Sequence, residues 1–278
     1  MTNKERQLAI FLSPHFDDIA LSCGGTAARM SRMGAHCIGL TVCAAPAEGN
    51  GSLSSFAEDL HGKWASGSGT EALSLNDVRR EEERQALRLL GLTPVWLDVP
   101  DAPYRRGAGG RHLYTSDGDL FGSLAHEESR TLVPHIVSEI KRVAQESGAR
   151  GHVRVFAPLG LGNHVDHQLV FRTARSLPPR YGVLFYEDYP YAQVDGALQK
   201  RLAGMDQKAQ SLVTSITELI GIKIAAVARY KSQLGVLFGS PDAMPRAVRA
   251  YSESVAQTSG MAGYAERVWR LPLAYTLA

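Results

Sequence analysis

The chain has 278 residues, of which 44% are hydrophobic and 21% are charged, so the composition predicts a packed core and excludes a largely disordered chain. Its 30 basic and 28 acidic residues leave a net charge of +2 without a basic cluster, which argues against nucleic acid as a partner. No apolar run approaches the roughly 20 residues that a membrane helix needs, so no membrane span is expected.

The N-terminal segment and the cysteines bear on the cellular compartment. The segment MTNKERQLAIFL carries charges and a short apolar run but no small-residue cleavage site, so a signal peptide is not expected. Cys23, Cys37 and Cys43 are odd in number and lack the spacing of a thiolate metal site. They are typical of reduced core thiols, and we expect a cytoplasmic protein.

Short apolar runs alternate with amphipathic runs over most of the chain. In chain order, the predicted elements are a strand at Leu8–Leu12, a helix at Gly24–Gly34, a strand at Cys37–Cys43, a helix from Asn76 or Asp77 to Gly91, a strand at Val95–Asp98, a helix at Glu127–Ser147, a strand at Val153–Pro158, a helix at His167–Ser176 and a strand at Tyr181–Tyr186. This order predicts an α/β fold with a mostly parallel sheet and helices on both faces.

The remaining segments are irregular or follow a different pattern. Residues 44–75 and 100–120 have no clear period, and we expect these loops to wall a pocket. After residue 190 we expect two or three helices, one around Ile216–Leu234, and a late strand near Arg267–Leu271. The prediction is one domain over 1–278, with a core at about 7–190 and a C-terminal helical extension at about 191–278.

Polar motifs follow the ends of four predicted strands. SPHFDD follows the first strand, VPDAPYRRG the third, PLGLGNHVDH the fourth and YEDYPY the fifth. In an open α/β sheet, ligands bind outside the carboxyl ends of the strands, so these motifs are expected to converge. The YRRG segment fits either a site for phosphate or carboxylate or a solvated basic loop. The segment around Asp188 fits either binding of sugar hydroxyls or a surface turn.

Two of these motifs contain the side chains of a metal site. His15, Asp18, His164 and His167 offer imidazole nitrogens and a carboxylate, a set that suits Zn²⁺ or a similar divalent ion with an open position for water. Such an ion lowers the pKa of a bound water toward ~7 and polarises a carbonyl group. Taken singly, each motif also has an ordinary interpretation, because paired aspartates often cap helices and an H-x-x-H spacing arises by chance.

Neighbouring side chains fit the roles that hydrolysis requires. Asp17, beside Asp18, could take the proton from the attacking water. Whichever of His164 and His167 is not a ligand could donate to the oxyanion or to the leaving amine. Asp166 could orient a histidine ligand through its second ring nitrogen.

Five motifs resemble, in order, those of the LmbE-like/PIG-L family of metal-dependent N-acetylglucosaminyl deacetylases. SPHFDDIALSCGGT resembles the family signature AHPDDxxLxxGGT, and HVDH resembles its second motif, HPDH. RREEERQALRLLGL resembles its RxxExxxAxxxLG helix, LDVPDAP its LxxxD segment, and KIAAVARYKSQL its late KxxAxxxYxSQ helix. Together these motifs span roughly Ala9 to Leu234, which is most of the chain.

The resemblance implies a Rossmann-like fold and a zinc site. His15, Asp18 and His167 match the zinc ligands of the family. Asp17 matches its general base, and His164 matches the histidine that stabilises the oxyanion.

On the substrate side, the resemblance covers fewer positions. Arg79 matches a sugar-binding arginine, although its neighbour Arg80 fits the same alignment. Asp101 matches the substrate-side aspartate loosely.

The predicted function is a cytoplasmic, zinc-dependent hydrolase that removes the acetyl group from a small N-acetylated amino sugar or its conjugate. An amidase for a larger sugar or thiol conjugate is the alternative within the same chemistry. A non-catalytic sugar-binding module is the alternative from another class. Another first-row divalent ion in place of zinc, and a homo-oligomeric assembly, remain open.

Overall fold

The computed structural model describes residues 7–47, 52–68, 75–149, 151–205 and 209–272. Two pieces of the predicted irregular segment 44–75, residues 48–51 and 69–74, lie outside the described residues.

A single mixed sheet of seven strands forms the centre of the fold, in the order β3-β2-β1-β4-β5-β7-β6. The strands are β1 (Leu8–Ser13), β2 (His36–Thr41), β3 (Thr93–Trp96), β4 (Val153–Pro158), β5 (Tyr181–Tyr186), β6 (Gln210–Ser215) and β7 (Ala265–Arg270). The first five strands pair in parallel, while β7 runs antiparallel to both of its neighbours. The predicted α/β class and mostly parallel sheet are therefore confirmed.

Helices cover both faces of the sheet. They are α1 (Asp18–Arg32), α2 (Ser55–Ser68), α3 (Leu75–Leu90), α4 (Asp117–Leu120), α5 (His126–Glu146), α6 (Val165–Arg175), α7 (Ala197–Ala203), α8 (Ile220–Val227), α9 (Lys231–Phe238) and α10 (Met244–Thr258). Among the described residues, no helix combines the length and apolarity needed to cross a bilayer.

Alternation along β1 explains the two-sided core. Leu8, Ile10 and Leu12 pack into the core beneath α5 and α6. Ala9 and Phe11 point to the other face, where Phe11 stacks on Phe156 of β4 with ring centroids 4.4 Å apart. A strand buried on both faces reads as a continuous apolar run, which is how LAIFL appears in the sequence.

The largest differences from the sequence predictions lie at α2, at the helix expected around Ile216–Leu234 and at β6. Helix α2 lies within the segment 44–75 that was expected to be irregular, and Ser54 begins it by accepting a hydrogen bond from the Ala57 backbone N–H. The single helix expected around Ile216–Leu234 is wrong, because the chain breaks at Tyr230 and forms α8 and α9. Strand β6 was not predicted, since its residues are exposed or only partly buried and lack an apolar period.

The C-terminal part of the chain contacts α1, the helix that begins at Asp18, through residues of β7 and α8. Helix α1 is kinked at Cys23, where φ is −138°. The Glu266 carboxylate of β7 accepts hydrogen bonds from two backbone N–H groups just beyond this kink, those of Gly25 at 2.9 Å and Thr26 at 2.6 Å. Lys223 of α8 pairs with the same buried carboxylate at 2.7 Å. These contacts hold α1, just beyond its kink, against β7 and α8.

Close packing explains a glycine at the same kink. A Cβ atom added to Gly25 would lie 2.6 Å from the side chain of Ile216, well inside van der Waals contact. Gly25 of the first motif therefore permits the C-terminal part to approach α1.

Candidate metal and catalytic site

Every predicted site residue lies in one cavity beyond the carboxyl ends of β1, β4 and β5. The cavity is lined by His15, Asp17, Asp18, Arg79, Asp101, His164, Asp166 and His167, together with apolar side chains from α2, α4 and α9. The expected convergence of the strand-end motifs therefore appears in the fold.

Three donor groups face one another on the floor of the cavity. The Asp18 carboxylate lies 3.5 Å from Nδ1 of His15 through one oxygen and 3.5 Å from Nε2 of His167 through the other. One atom from each of these residues lies within 4.8 Å of the other two. Two imidazoles and one carboxylate are the donor set of many three-ligand zinc sites.

A second carboxylate orients the ring of His15. Asp166 Oδ2 lies 3.1 Å from His15 Nε2, which places the proton of the neutral ring on Nε2 and turns Nδ1 toward Asp18. The same Asp166 oxygen accepts a hydrogen bond from the Ala102 backbone N–H at 3.1 Å. Its other oxygen pairs with Arg105.

The ring of His167 is oriented in the same way by a different residue. Asp188 Oδ1 lies 2.6 Å from His167 Nδ1, which leaves Nε2 to face Asp18. Asp188 Oδ2 accepts hydrogen bonds from the backbone N–H groups of Gly160 at 2.9 Å and Leu161 at 3.0 Å. Both candidate histidine ligands therefore have the carboxylate partner that metal-bound histidines usually have.

The charges on these groups support one another. Burial would raise the pKa of Asp18, but His167 and His15 outweigh it and lower that pKa to about 2. Burial opposes charge on His167 as well, yet Asp18 and Asp188 raise its pKa above the usual value. A metal ion bound here would replace the protons that these carboxylates hold on the rings.

Asp17 has the environment of a general base. Burial, with repulsion from Asp18, raises its pKa to about 6, near the range where a carboxylate can accept a proton and release it again. It precedes α1, but its side chain makes no capping hydrogen bond to that helix. The ordinary interpretation of this aspartate as a helix cap is therefore not supported.

His164 is held as a neutral hydrogen-bond donor. Its Nδ1 accepts the Asp166 backbone N–H at 3.2 Å, so the proton of the neutral ring lies on Nε2. Burial lowers the pKa of His164 to about 3, which keeps the ring neutral near pH 7. A neutral N–H group in a buried site can stabilise a developing oxyanion.

Two other groups of donor atoms also come within 4.8 Å, namely His15, His164 and Asp166, and Cys43, Asp101 and Asp166. Asp166 belongs to both, and its oxygens already accept bonds from Arg105, Ala102 and His15. The trio around Asp18 has donor atoms with fewer competing partners, so it fits a metal ion better.

Arg79 and Arg80, the two candidates for the substrate-side arginine, have different surroundings. Arg79 lines the cavity, where its guanidinium lies 3.8 Å from Asp101 and over the ring of Phe16. Arg80 points elsewhere, donating to the Ala44 carbonyl at 2.7 Å and stacking over Trp96. Of the two, only Arg79 lines the cavity.

Sequence reasoning missed the roles of Asp188 and Arg105. Asp188 is fully buried against His167, so neither a surface turn nor a sugar contact describes it. Arg105 is also buried and pairs with Asp166 and Glu128, so its interpretation as a solvated loop is wrong. The position of Asp188 directly after β5 was the available signal, whereas Arg105 had none.

A known protein family matches more than half of the chain. Residues 10–177 match PIG-L, the family described as GlcNAc-PI de-N-acetylase. The chain belongs to the PIG-L family. This agrees with the order of motifs in the sequence and with the clustering of those motifs in one cavity.

Known proteins named as deacetylases are similar to this chain over most of its length. A 2'-N-acetylparomamine deacetylase from Niallia circulans is 32% identical over 245 residues, which cover 85% of this chain and 84% of the relative. One from Streptomyces fradiae is 33% identical over 189 residues, covering 67% and 58%. The zinc-inhibited form of teicoplanin deacetylase has a similar fold, with a TM-score of 0.77, 24% identity and coverage of 97% and 100%.

Proposed function

We propose that the protein is a zinc-dependent N-deacetylase that hydrolyses the acetamide of a small N-acetylated amino sugar. The observation that carries the proposal is the trio of His15, Asp18 and His167, with donor atoms within 4.8 Å beside a buried Asp17. A module that only binds sugar has no need of a carboxylate poised to exchange protons next to a set of metal ligands.

The donor set fits a divalent ion, and His15 Nδ1, Asp18 and His167 Nε2 would hold it. When bound there, such an ion would activate a water molecule and polarise the acetamide carbonyl. Zinc suits two imidazoles and a carboxylate, although other first-row ions accept the same donors.

The protein side chains would manage the proton. Asp17 takes it from the water as the water oxygen bonds to the acetamide carbon. His164 donates its Nε2–H to the carbonyl oxygen as negative charge develops there. Asp17 then gives the proton to the amine nitrogen as the C–N bond breaks, leaving a free amino sugar and acetic acid, which ionises to acetate at neutral pH.

The relatives guide the choice of substrate. Two of them are named for 2'-N-acetylparomamine, an N-acetylated amino sugar, so this compound and N-acetylglucosamine are the first to test. Amides with longer acyl groups would test the alternative of a larger amidase. The three cysteines are buried and free, which fits the reducing cytoplasm that we propose as its compartment.

Metal analysis combined with an assay for released amine tests the proposal. We expect about one zinc per chain in the wild type, lost in His15→Ala/His167→Ala, and amine release from at least one N-acetylated amino sugar. Zinc without release from any acetamide, but with release from longer amides, would favour the larger amidase. Absence of metal after reconstitution with zinc would contradict the proposal.

Asp17→Asn separates an enzyme from a binding module. We expect zinc content and thermal stability to persist while turnover falls by roughly 10²-fold or more, because a positioned acid–base group contributes that much. Asp59→Asn, an exposed change on α2, is the control and should leave turnover unchanged. Unchanged turnover in Asp17→Asn would remove Asp17 from the proposed mechanism.

A further inference from the structure

Two aromatic side chains lie beside His164, the proposed oxyanion donor, and His167, a candidate metal ligand. The ring of Phe121 meets that of His164 edge to face, with centroids 5.4 Å apart. The ring of Tyr191 meets that of His167 in the same manner, with centroids 5.6 Å apart. The rings of Phe121 and Tyr191 also meet edge to face, with centroids 6.1 Å apart. Tyr191 and His164 line the cavity, and Phe121, whose ring contacts both of theirs, extends this aromatic surface beyond the cavity lining.

Phe121 is exposed, yet its turn is fixed. It directly follows α4 and has 42% of its surface exposed. The Asn163 side-chain amide donates to the carbonyls of Phe121 at 2.9 Å and of Gly122 at 2.6 Å. Gln168 donates to the Gly122 carbonyl as well, at 2.8 Å. A large apolar side chain is therefore held in solvent by the same loop that carries His164.

The position of Tyr191 depends on a glycine in that loop. Gly162 has φ of +77°, and a Cβ atom added to it would lie 2.4 Å from the Tyr191 ring. The missing side chain lets the ring lie against the loop and line the cavity. Two features of one short loop, at Gly162 and Asn163, thus set the two aromatic side chains.

We propose that Phe121 and Tyr191 form an aromatic subsite for the apolar face of the sugar ring that carries the acetamide. The inference rests on the proposed function, because it assumes that the acetamide lies at His164. A pyranose ring has a C–H face and a hydroxyl edge. Aromatic rings complement the first, while the charged Arg79 and Asp101 in the same cavity complement the second.

Kinetics on Phe121→Leu, Tyr191→Leu and Tyr191→Phe test the subsite, with 2'-N-acetylparomamine and N-acetylglucosamine as substrates. Both leucine variants should raise KM about three- to tenfold and leave kcat within about twofold, the size of a lost aromatic contact. Tyr191→Phe should behave as wild type, because the ring is retained. Leu89→Ala, 40% exposed on α3 and outside the cavity lining, is the control.

A second readout separates this inference from the proposed function. Titration calorimetry of the same two sugars on zinc-loaded protein that also carries Asp17→Asn measures ring binding with turnover reduced by roughly 10²-fold. Weaker binding to both leucine variants supports the subsite, even if no acetamide is hydrolysed and the proposed function fails. Unchanged binding and KM would overturn the subsite while leaving deacetylation intact. A fall in kcat alone would overturn it too, since Phe121 would then only position His164.

Discussion

The two candidate histidine ligands are oriented by carboxylates that the fold supports in opposite ways. Asp188, behind His167, is held by two backbone N–H groups of the loop after β4. Asp166, behind His15, pairs with the buried Arg105, which also contacts Glu128 of α5. One side of the site thus rests on neutral backbone dipoles close to the sheet, and the other on a buried chain of charges.

The difference bears on what each side does for the protein. Backbone groups are present whatever the side chains are, so the Asp188 side is robust to substitution around it. A buried charge network depends on every member, because losing one leaves another charge uncompensated. We therefore expect the Asp166 side to combine ligand orientation with stability, and the Asp188 side to affect ligand orientation mainly.

Removing Arg105 should give the largest effect. Arg105→Leu would leave Asp166 and Glu128 buried without their shared cation, which typically costs about 3–5 kcal/mol of unfolding free energy. Chemical denaturation followed by circular dichroism measures this cost. Arg142→Leu is the matched control, because Arg142 pairs with Glu139 and Glu146 on an exposed helix surface. Equal, small losses in both variants would refute the buried network as a source of stability.

Substituting the two carboxylates compares the sides directly. Asp188→Asn and Asp166→Asn should each weaken zinc binding by roughly 10- to 100-fold, as other outer partners of metal-bound histidines do. Only Asp166→Asn should also lower the melting temperature clearly, because it removes an ion-pair partner of Arg105. Competition with a chromogenic chelator gives the affinities. Equal melting temperatures for the two variants would erase the proposed distinction between the sides.

The sequence predicted Asp166 as a carboxylate that orients a histidine ligand, but it did not predict the same role for Asp188 or the pairing of Arg105 with Asp166. Strand periodicity placed the motifs around His15 and His167 at one sheet edge, and Asp188 follows β5 at that same edge. The pairing of Arg105 with Asp166 joins residues 61 positions apart, with α5 and β4 between them. No local pattern encodes such a contact, so it emerges only from the fold.

The same limit explains the errors in the fold prediction. Apolar periodicity identified the buried strands β1, β4 and β5, because each is covered on both faces. It failed for β6, an edge strand with few buried residues. It also failed for α2, whose segment was judged irregular from its composition of small residues.

Glu83 differs from both Asp166 and Asp188, because the hydrogen-bond donors to its buried carboxyl group are neutral side chains. It lies fully buried on α3 and accepts hydrogen bonds from Thr41 Oγ1 at 2.6 Å and from Trp96 Nε1. Burial raises its pKa to about 8, so the folded protein keeps it protonated where the unfolded chain ionises it. Because the unfolded state then binds fewer protons, stability should fall as the pH rises from about 4.5 to about 8.

Glu83→Gln should flatten that part of the stability profile. The contribution of one such group is at most about 1.4 kcal/mol per pH unit. Urea denaturation at several pH values measures the slope in the wild type and in the variant. Glu82→Gln, on the same helix and bonded to Ser232, is the control and should keep the wild-type slope. A wild-type slope that persists in Glu83→Gln would mean that Glu83 is ionised in the folded protein.

Tyr114 lies at the end of the charge network that is farthest from His15, and its substitution is expected to change the free energy of unfolding least. Its hydroxyl donates to Glu128 and accepts the Ala125 backbone N–H at 3.0 Å, at the start of α5. Tyr114→Phe should lower the free energy of unfolding by about 1 kcal/mol, the net value of a buried hydrogen bond, and leave zinc affinity unchanged. If zinc affinity also falls, the network transmits orientation from Glu128 through Arg105 and Asp166 to His15. The Asp166 side would then be a single unit from α5 to the candidate ligand His15, whereas the Asp188 side ends at the backbone of the loop after β4.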